Sequence, residues 1–122
     1  MPEQPTRGDI FWADLPEVEG SALKGPHPVC IVSNDISNAF SPVVIVAAMT
    51  SKPSRNRQLW DVLLPKGQPI AREGRIMCNQ LFTLDKQYLR DKQGSLSAAQ
   101  MVDLERALKV ALGLDGALPS KQ

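Results

Sequence analysis

Apolar residues along this chain come in short runs that are separated by clusters of glycine, proline, asparagine and serine. Runs of this length, rich in β-branched and aromatic residues and bounded by turn formers, are typical of β-strands. They predict strands at residues 9–14, 28–33, 43–49, 59–64 and 75–82. The predicted connections are a loop at 17–28, a turn-rich segment at 34–38, a basic loop at 52–57 and a turn at 65–69.

One segment near the C-terminus has helical periodicity instead. Ser97 and Gln100 have the spacing of a capping box, and apolar residues then recur at helical spacing up to a stop at Gly113. A shorter helical turn is predicted over residues 85–89, and the tail at 114–122 is expected to be loosely held. Short strands followed by one helix predict a mainly β protein with some α (α+β), built as a small, strongly bent antiparallel sheet or barrel with a C-terminal helix.

Length and composition describe one ordinary domain. A chain of 122 residues buries roughly two-thirds of its unfolded surface, so we expect one domain over 1–122 with a core at about 7–114 and flexible termini. The longest apolar run is far shorter than the ~20 residues of a membrane helix, and the N-terminus has neither region of a leader peptide. We therefore expect a cytoplasmic protein without membrane contact. Cys30 and Cys78 are predicted to be buried free thiols, and the single histidine argues against a zinc site.

The net charge of +1 hides a basic segment. Residues 1–20 hold five acidic residues and one arginine, whereas residues 51–76 hold six lysines and arginines and two acidic residues. A basic segment can bind nucleic-acid phosphates, although it is also the usual composition of a solvated face.

Polar side chains collect in the turns at the predicted strand ends. The phosphate-loop, dinucleotide-binding, serine-hydrolase and zinc-protease motifs are all absent from the sequence. What remains is Ser21, Lys24 and His27 in one loop, Thr50, Ser51 and Lys52 after the most apolar strand, and Arg55 and Arg57 in the basic loop. This inventory suits cleavage within an RNA strand, where the substrate's 2′-hydroxyl is the nucleophile and the protein supplies proton transfer and charge. Imidazole exchanges protons between about pH 5 and 8, but a lone histidine between two prolines is also a common exposed or packing residue.

Several colinear segments resemble the MazF/PemK toxin family. They are residues 7–15, 20–21, 27–29, 33–35, 41–50, 80–86 and 112–114. The resemblance implies an SH3-like, CcdB/PemK-like β-barrel with a C-terminal helix, which forms a homodimer. It also implies an endoribonuclease without metal or other cofactor that cuts single-stranded messenger RNA at a short sequence. In this family the products carry 2′,3′-cyclic phosphate and 5′-hydroxyl ends, and a cognate MazE-like antitoxin blocks the site.

Three catalytic positions follow from the resemblance. The family's catalytic threonine falls on Thr50 and its serine on Ser21, whereas His27 stands where the family has an arginine. Arginine is a permanent, bidentate cation and histidine a shorter, switchable acid or base, so the exchange either preserves cleavage by other proton transfers or disables it. We expect activity to be retained, with a maximum near neutral pH. The alternative is a catalytically impaired MazF-like or CcdB-like protein that binds an antitoxin, RNA or a topoisomerase.

Further residues are candidates for substrate binding because of the chemistry of their side chains. The amides of Asn79 and Gln80 are expected to read base edges, with one of the two facing inward, and Phe82 to stack on an unpaired base. The other substrate-binding residues lie on loops that shape the entrance or hold the RNA backbone: Lys24, Ser51, Lys52, Arg55 and Arg57.

The remaining large apolar residues are assigned to packing. Phe11 and Trp12 are expected in the core or at a dimer interface, and Trp60 either half-buried on its strand or stacked on a base. The strand at 43–49 is expected to be covered by the core on one face and by a second subunit on the other. This strand and Phe40 expose more apolar surface than a small monomer usually leaves in water.

Overall fold

The computed structural model describes residues 4–15, 25–52 and 58–114. The elements in these ranges are β1 (Asp9–Leu15), β2 (Gly25–Ile31), α1 (Asp35–Phe40), β3 (Val43–Thr50), β4 (Asp61–Leu64), β5 (Gly74–Asp85), a 3-10 helix (Lys86–Tyr88), β6 (Leu89–Ser95) and α2 (Ala98–Leu112). None of the helices in this part of the chain is long and apolar enough to cross a membrane.

The six strands form one antiparallel sheet in the order β4-β5-β3-β2-β1-β6. The sheet curls into a half-barrel, and α2 packs against one of its faces. The predicted mainly β fold with a C-terminal helix is therefore confirmed.

Helix α2 has the predicted ends. Ser97 Oγ accepts a hydrogen bond from the backbone N–H of Gln100 at 3.1 Å, and Gln100 Oε1 accepts one from the N–H of Ser97 at 2.9 Å. At the other end, Gly113 adopts the left-handed conformation that favours glycine, with φ 70°. The predicted helical turn at 85–89 is the 3-10 helix.

Three predicted segments differ in extent or type. β2 lies earlier than the predicted 28–33, because β1 offers it backbone partners as far as Gly25. The predicted turn at 34–38 begins α1 instead, since the side chain of Asn34 accepts a hydrogen bond from the N–H of Ser37 at 2.8 Å and caps a helix. β4 begins two residues later than predicted, and β5 extends beyond both predicted ends.

Strand β6 has no counterpart among the predicted strands. Its sequence LRDKQGS is almost entirely polar, and most of its side chains are exposed. Among the described strands it pairs with β1 alone, so it forms an edge of the sheet. Edge strands commonly carry charged side chains that discourage pairing with other proteins, and such a strand lacks the apolar pattern by which strands are predicted.

The core consists of two clusters on opposite faces of the sheet. β3 contributes to both: Ala47 and Met49 pack in the cluster that includes α2, and Val44 and Val46 pack in the other. The continuous apolarity of this strand is thus satisfied within the chain, and the expected cover by a second subunit is wrong for these four residues. Two apolar side chains nearby do stay at the surface, Phe40 at 86% and Ile45 at 42% exposure.

Both cysteines are buried free thiols, as predicted. Burial raises the pKa of the Cys78 thiol to about 12 and also raises the pKa of Cys30. Because the thiolate is the reactive form, neither side chain is a nucleophile at neutral pH.

Strand β5 contains a bulge beside β3. Between Ala47 and Ala48 of β3, the partner residue on β5 jumps from Leu81 to Met77, so residues 78–80 face no partner on β3. Bulges bend a strand and re-aim its side chains. This one determines the surroundings of two residues that the sequence singles out, Asn79 and Gln80.

Candidate active site

Three polar side chains lie in one row across the sheet. Thr50 of β3 pairs with Arg75 of β5. On its other side, the last pair between β3 and β2 is Ala48 with Val29, and Thr50 and His27 each lie two residues beyond this pair. Residues two apart on a strand share a face, so His27, Thr50 and Arg75 lie on the same face of the sheet and are called the polar row below.

The neighbouring row, two residues inward, is buried. It consists of Phe11, Val29, Ala48, Met77 and Asp61, none of which is more than 6% exposed. The polar row therefore projects from strands whose adjacent positions are packed. Side chains on such regular elements are held more precisely than side chains on loops.

A cleft of about 630 Å³ lies at this end of the strands. Four residues singled out from the sequence line it together: His27, Thr50, Ser51 and Lys52. The rest of the lining is Trp12, Pro26, Pro28, Met49, residues 70–74 and Gln93. Within the described ranges, no group of three or more His, Cys, Asp or Glu residues is placed to hold a metal ion.

The hydroxyl of Thr50 is oriented by its own chain. Oγ1 accepts a hydrogen bond from the backbone N–H of Lys52 at 3.2 Å. A threonine hydroxyl has one proton to donate and two lone pairs, so this bond leaves the O–H able to donate to a ligand oxygen. The adjoining backbone is tightly packed as well, because a Cβ at Gly74 would lie 2.9 Å from the Thr50 carbonyl oxygen.

Arg75 is held by a buried carboxylate. Its Nη1 donates to Oδ2 of Asp61 at 3.1 Å, and the Asp61 side chain is fully buried while that of Arg75 is 22% exposed. Asp61 Oδ1 and Arg75 Nε are both buried and find no hydrogen-bond partner in the part of the chain that the structure describes. Arg75 does not line the cleft but lines a second pocket of about 340 Å³, and the two pockets share Ser51, Lys52, Glu73 and Gly74.

The three substrate-binding residues predicted on β5 have different surroundings. Gln80 Nε2 lies 3.7 Å from Sδ of Met77, so its amide is close to the buried row. Asn79 is exposed. Phe82 pairs with Val46 and is partly buried against the second core cluster. The bulge thus turns Gln80, rather than Asn79, toward the strand positions beside Thr50.

Four residues singled out from the sequence lie outside the described residues: Ser21, Lys24, Arg55 and Arg57. Their roles in catalysis or RNA binding stay predictions.

Two residues of the site were not assigned to it from the sequence. Trp12 is 41% exposed and lines the cleft, so it is not a core residue of this chain, and its place at a dimer interface stays a prediction. The available signal was strand alternation, because Phe11 and Ala13 on either side are buried and Trp12 faces the other way. Arg75 gives no such signal, since its place opposite Thr50 depends on how β3 and β5 pair.

Comparisons with known proteins match almost the whole chain. A family model described as a PemK-like, MazF-like toxin of type II toxin-antitoxin system matches residues 6–112. A curated relative named Endoribonuclease MazF, from Staphylococcus epidermidis, is 38% identical over 110 residues, which are 89% of this chain and 92% of the relative. A solved endoribonuclease from a mycobacterial species is 27% identical, with a TM-score of 0.77 over 97% of this chain and 98% of that one. A mycobacterial endoribonuclease solved in complex with its cognate antitoxin is 28% identical, with a TM-score of 0.74 over 96% of this chain and 99% of that one.

Proposed function

The chain belongs to the family of PemK-like and MazF-like toxins of type II toxin–antitoxin systems, and on this basis we propose how and on what it acts. It is an endoribonuclease of the MazF type and the toxin of its pair. Its proposed substrate is single-stranded RNA, messenger RNA above all, which it cuts at a short sequence without a metal ion. The proposed products carry 2′,3′-cyclic phosphate and 5′-hydroxyl ends.

The cleft that His27 and Thr50 line together is the observation that supports this reaction most directly. The 2′-oxygen of the substrate forms a bond to phosphorus, and the bond from phosphorus to the 5′-oxygen breaks. One proton leaves the 2′-hydroxyl, and one proton is delivered to the 5′-oxygen. A site for this reaction needs a group that exchanges protons beside a donor that binds the phosphate, and His27 and Thr50 line one cleft with these two capacities.

Each of the two residues takes one part of the chemistry. The O–H of Thr50 donates to a non-bridging oxygen of the phosphate, on which negative charge grows in the transition state. The imidazole of His27 takes or delivers a proton at the reacting oxygens. Ser21, which the resemblance places in the catalytic set, adds a second hydroxyl donor.

The substrate-binding residues divide by chemistry. Amides read base edges, which is the role proposed for Gln80 and, at the exposed side of the bulge, for Asn79. Aromatic rings stack on unpaired bases, and Trp12 in the cleft joins Phe82 as a candidate. The groups proposed to hold the backbone or shape the entrance are Lys24, Ser51, Lys52, Arg55 and Arg57.

The partners follow from the family. A relative is solved in complex with its cognate antitoxin, and we propose that a MazE-like antitoxin inhibits this chain in the cytoplasm. We also propose a homodimer, since the exposed Phe40 and Ile45 provide apolar surface that a second copy would cover.

The function is tested with a long defined single-stranded RNA, incubated with the purified protein in EDTA and mapped at its cut ends. Cleavage at one short motif with 5′-hydroxyl ends is expected, with rates at least ~100-fold lower for Thr50→Ala and His27→Ala. If the parent protein is well folded but leaves RNAs that cover all short motifs intact, the proposal is contradicted and a binding protein without catalytic activity is favoured. Cleavage by Thr50→Ala at the parent rate would reject the assigned chemistry.

A further inference from the structure

We propose that Arg75 binds the phosphate at which the RNA is cleaved and supplies the permanent positive charge that His27 lacks. This role of Arg75 rests on the proposed function. It concerns a residue outside the set that the family resemblance assigns, at a position opposite Thr50.

The chemistry requires a cation at this place. Negative charge builds up on the phosphate in the transition state, and fixed positive groups are the strongest means of stabilising it. Histidine loses its charge within the physiological pH range. Of the described cations, Lys52 and Arg72 line the cleft and are exposed, whereas Arg75 lines the adjoining second pocket and is partly buried.

The position of Arg75 fits the role. Thr50 lies between His27 and Arg75 in the polar row, and neighbouring strands are about 4.8 Å apart. A phosphate that accepts a hydrogen bond from the hydroxyl of Thr50 is therefore within reach of a long side chain on either neighbouring strand. Guanidinium has five N–H donors, and among the described residues Arg75 uses one nitrogen, Nη1, for Asp61.

The pairing with Asp61 is a poor means of stabilising the fold. Removing a carboxylate and a guanidinium from water costs several kcal/mol per ion. In return the two groups make one mutual contact, and Asp61 Oδ2 also accepts a hydrogen bond from the backbone N–H of Gln58 at 3.2 Å, while Asp61 Oδ1 and Arg75 Nε stay without partners among the described residues. Its effect is to orient the guanidinium. Asp61 is in turn held by α2, because Arg106 Nη2 donates to its backbone oxygen at 3.0 Å.

The test uses a paired variant, Arg75→Gln with Asp61→Asn. Replacing both residues leaves no buried charge without its partner. The matched control is Arg7→Gln with Glu105→Gln, which removes another arginine–carboxylate pair whose arginine is 25% exposed, at the opposite end of β2 near Val32. Single-turnover cleavage of the mapped RNA is expected to fall ~100-fold in the first variant and to change less than about threefold in the control.

A second measurement separates phosphate binding from a structural role. His27→Arg is introduced into the parent and into the Arg75→Gln, Asp61→Asn variant. If both arginines serve the same phosphate, the gain from His27→Arg is at least ~10-fold larger where Arg75 is missing, since the two changes are coupled. A structural role of Arg75 predicts the same gain in both backgrounds, and that result overturns the inference.

The remaining outcomes are distinguishable. A parent that cleaves no RNA overturns the proposed function and this role with it. If the parent cleaves RNA, the Thr50→Ala variant does not, and the paired variant cleaves at the parent rate, then only the role of Arg75 is overturned. Should the paired variant fail to fold, Arg75→Lys keeps the charge but loses the planar donor set, and a ~10-fold slower rate is expected; an unchanged rate overturns the proposal.

Discussion

Gly74 and Thr50 approach each other so closely that a Cβ on Gly74 would lie 2.9 Å from the Thr50 carbonyl oxygen. Thr50 ends β3 and Gly74 begins β5, so this contact fixes the backbone beside the proposed phosphate-binding hydroxyl. A glycine is required here because of crowding, and not because of an unusual backbone conformation.

Gly74→Ala is expected to displace Thr50 and to slow RNA cleavage at least ~10-fold, because small misplacements of reacting groups are costly. The control is Gly67→Ala, at a glycine with φ 84° and nothing near its Cβ position. It strains a turn by about 1 kcal/mol without crowding the backbone of Thr50, so its melting temperature falls while its cleavage rate holds. Equal rates for the two variants would show that the contact with Thr50 is unimportant.

His27→Arg restores the residue that the family resemblance gives to this position, so it is expected to support cleavage by the family's own proton transfers, at or above the parent rate, and to flatten the dependence of the rate on pH. Arginine stays charged, whereas imidazole gains and loses its proton between about pH 5 and 8. Rates measured across this range check the prediction, with Thr50→Ala in the same background as the inactive control. If His27→Arg abolishes cleavage while the parent is active, His27 acts as a proton carrier that no fixed cation replaces.

Gln80→Ala and Asn79→Ala form a matched pair, because both remove one amide from the same bulge. Gln80 lies near Met77 of the buried row and Asn79 is exposed. Loss of one base-reading hydrogen bond costs about 1 kcal/mol, so Gln80→Ala is expected to relax the preference for one base of the cut motif by roughly fivefold. Sequencing of the cut ends of a mixed RNA pool checks this, and a larger change in Asn79→Ala would reverse the assignment.

Asp9 is predicted to make stability depend on acid pH. Burial alone raises the pKa of its carboxyl, but hydrogen bonds from Thr6 and Ser95 and the charge of Lys92 outweigh it, so the pKa is lowered. A carboxyl with a lowered pKa in the folded state stabilises the fold above its unfolded pKa of about 3.9, and this contribution disappears as pH falls through the folded value.

Asp9→Asn is therefore expected to lower the free energy of unfolding by about 1–3 kcal/mol at pH 7 and by less below pH ~4. The free energy of unfolding in urea, measured at pH 7 and below pH ~4, checks this. Asp14→Asn is the control on the same strand, since its partner Arg90 is exposed and such pairs contribute less than about 1 kcal/mol. The same loss for Asp9→Asn at both pH values would contradict the linkage.

The sequence predicts those elements whose causes are local. The Ser97–Gln100 capping box and Gly113 define both ends of α2 without reference to the rest of the chain. Strand β6 escaped prediction because pairing with β1, and not an apolar pattern of its own, makes it a strand. The apolar residues of β3 predict that both faces of this strand are covered. Their pattern does not tell whether the second face is covered by the same chain or by another.

The residues of the candidate site are likewise predictable from sequence only where the cause of their position is local. Thr50 and His27 are recognisable from sequence because each ends or begins an apolar strand in a segment that resembles a family. Arg75 is not, because a basic residue in a charged segment looks the same whether it faces water or Thr50. Only the pairing of β3 with β5 distinguishes the two.

The bulge at residues 78–80 bears on how this toxin can change during evolution. Because it contains an odd number of residues, it reverses the alternation of β5: Met77 shares a face with Thr50 before it, and Phe82 does so after it. Substitutions within the bulge can alter the RNA motif while the paired residues on both sides stay in register. Insertion or deletion of one residue there would exchange core and surface along the rest of β5, so sequence preference in this lineage is expected to diverge by substitution and not by change of length.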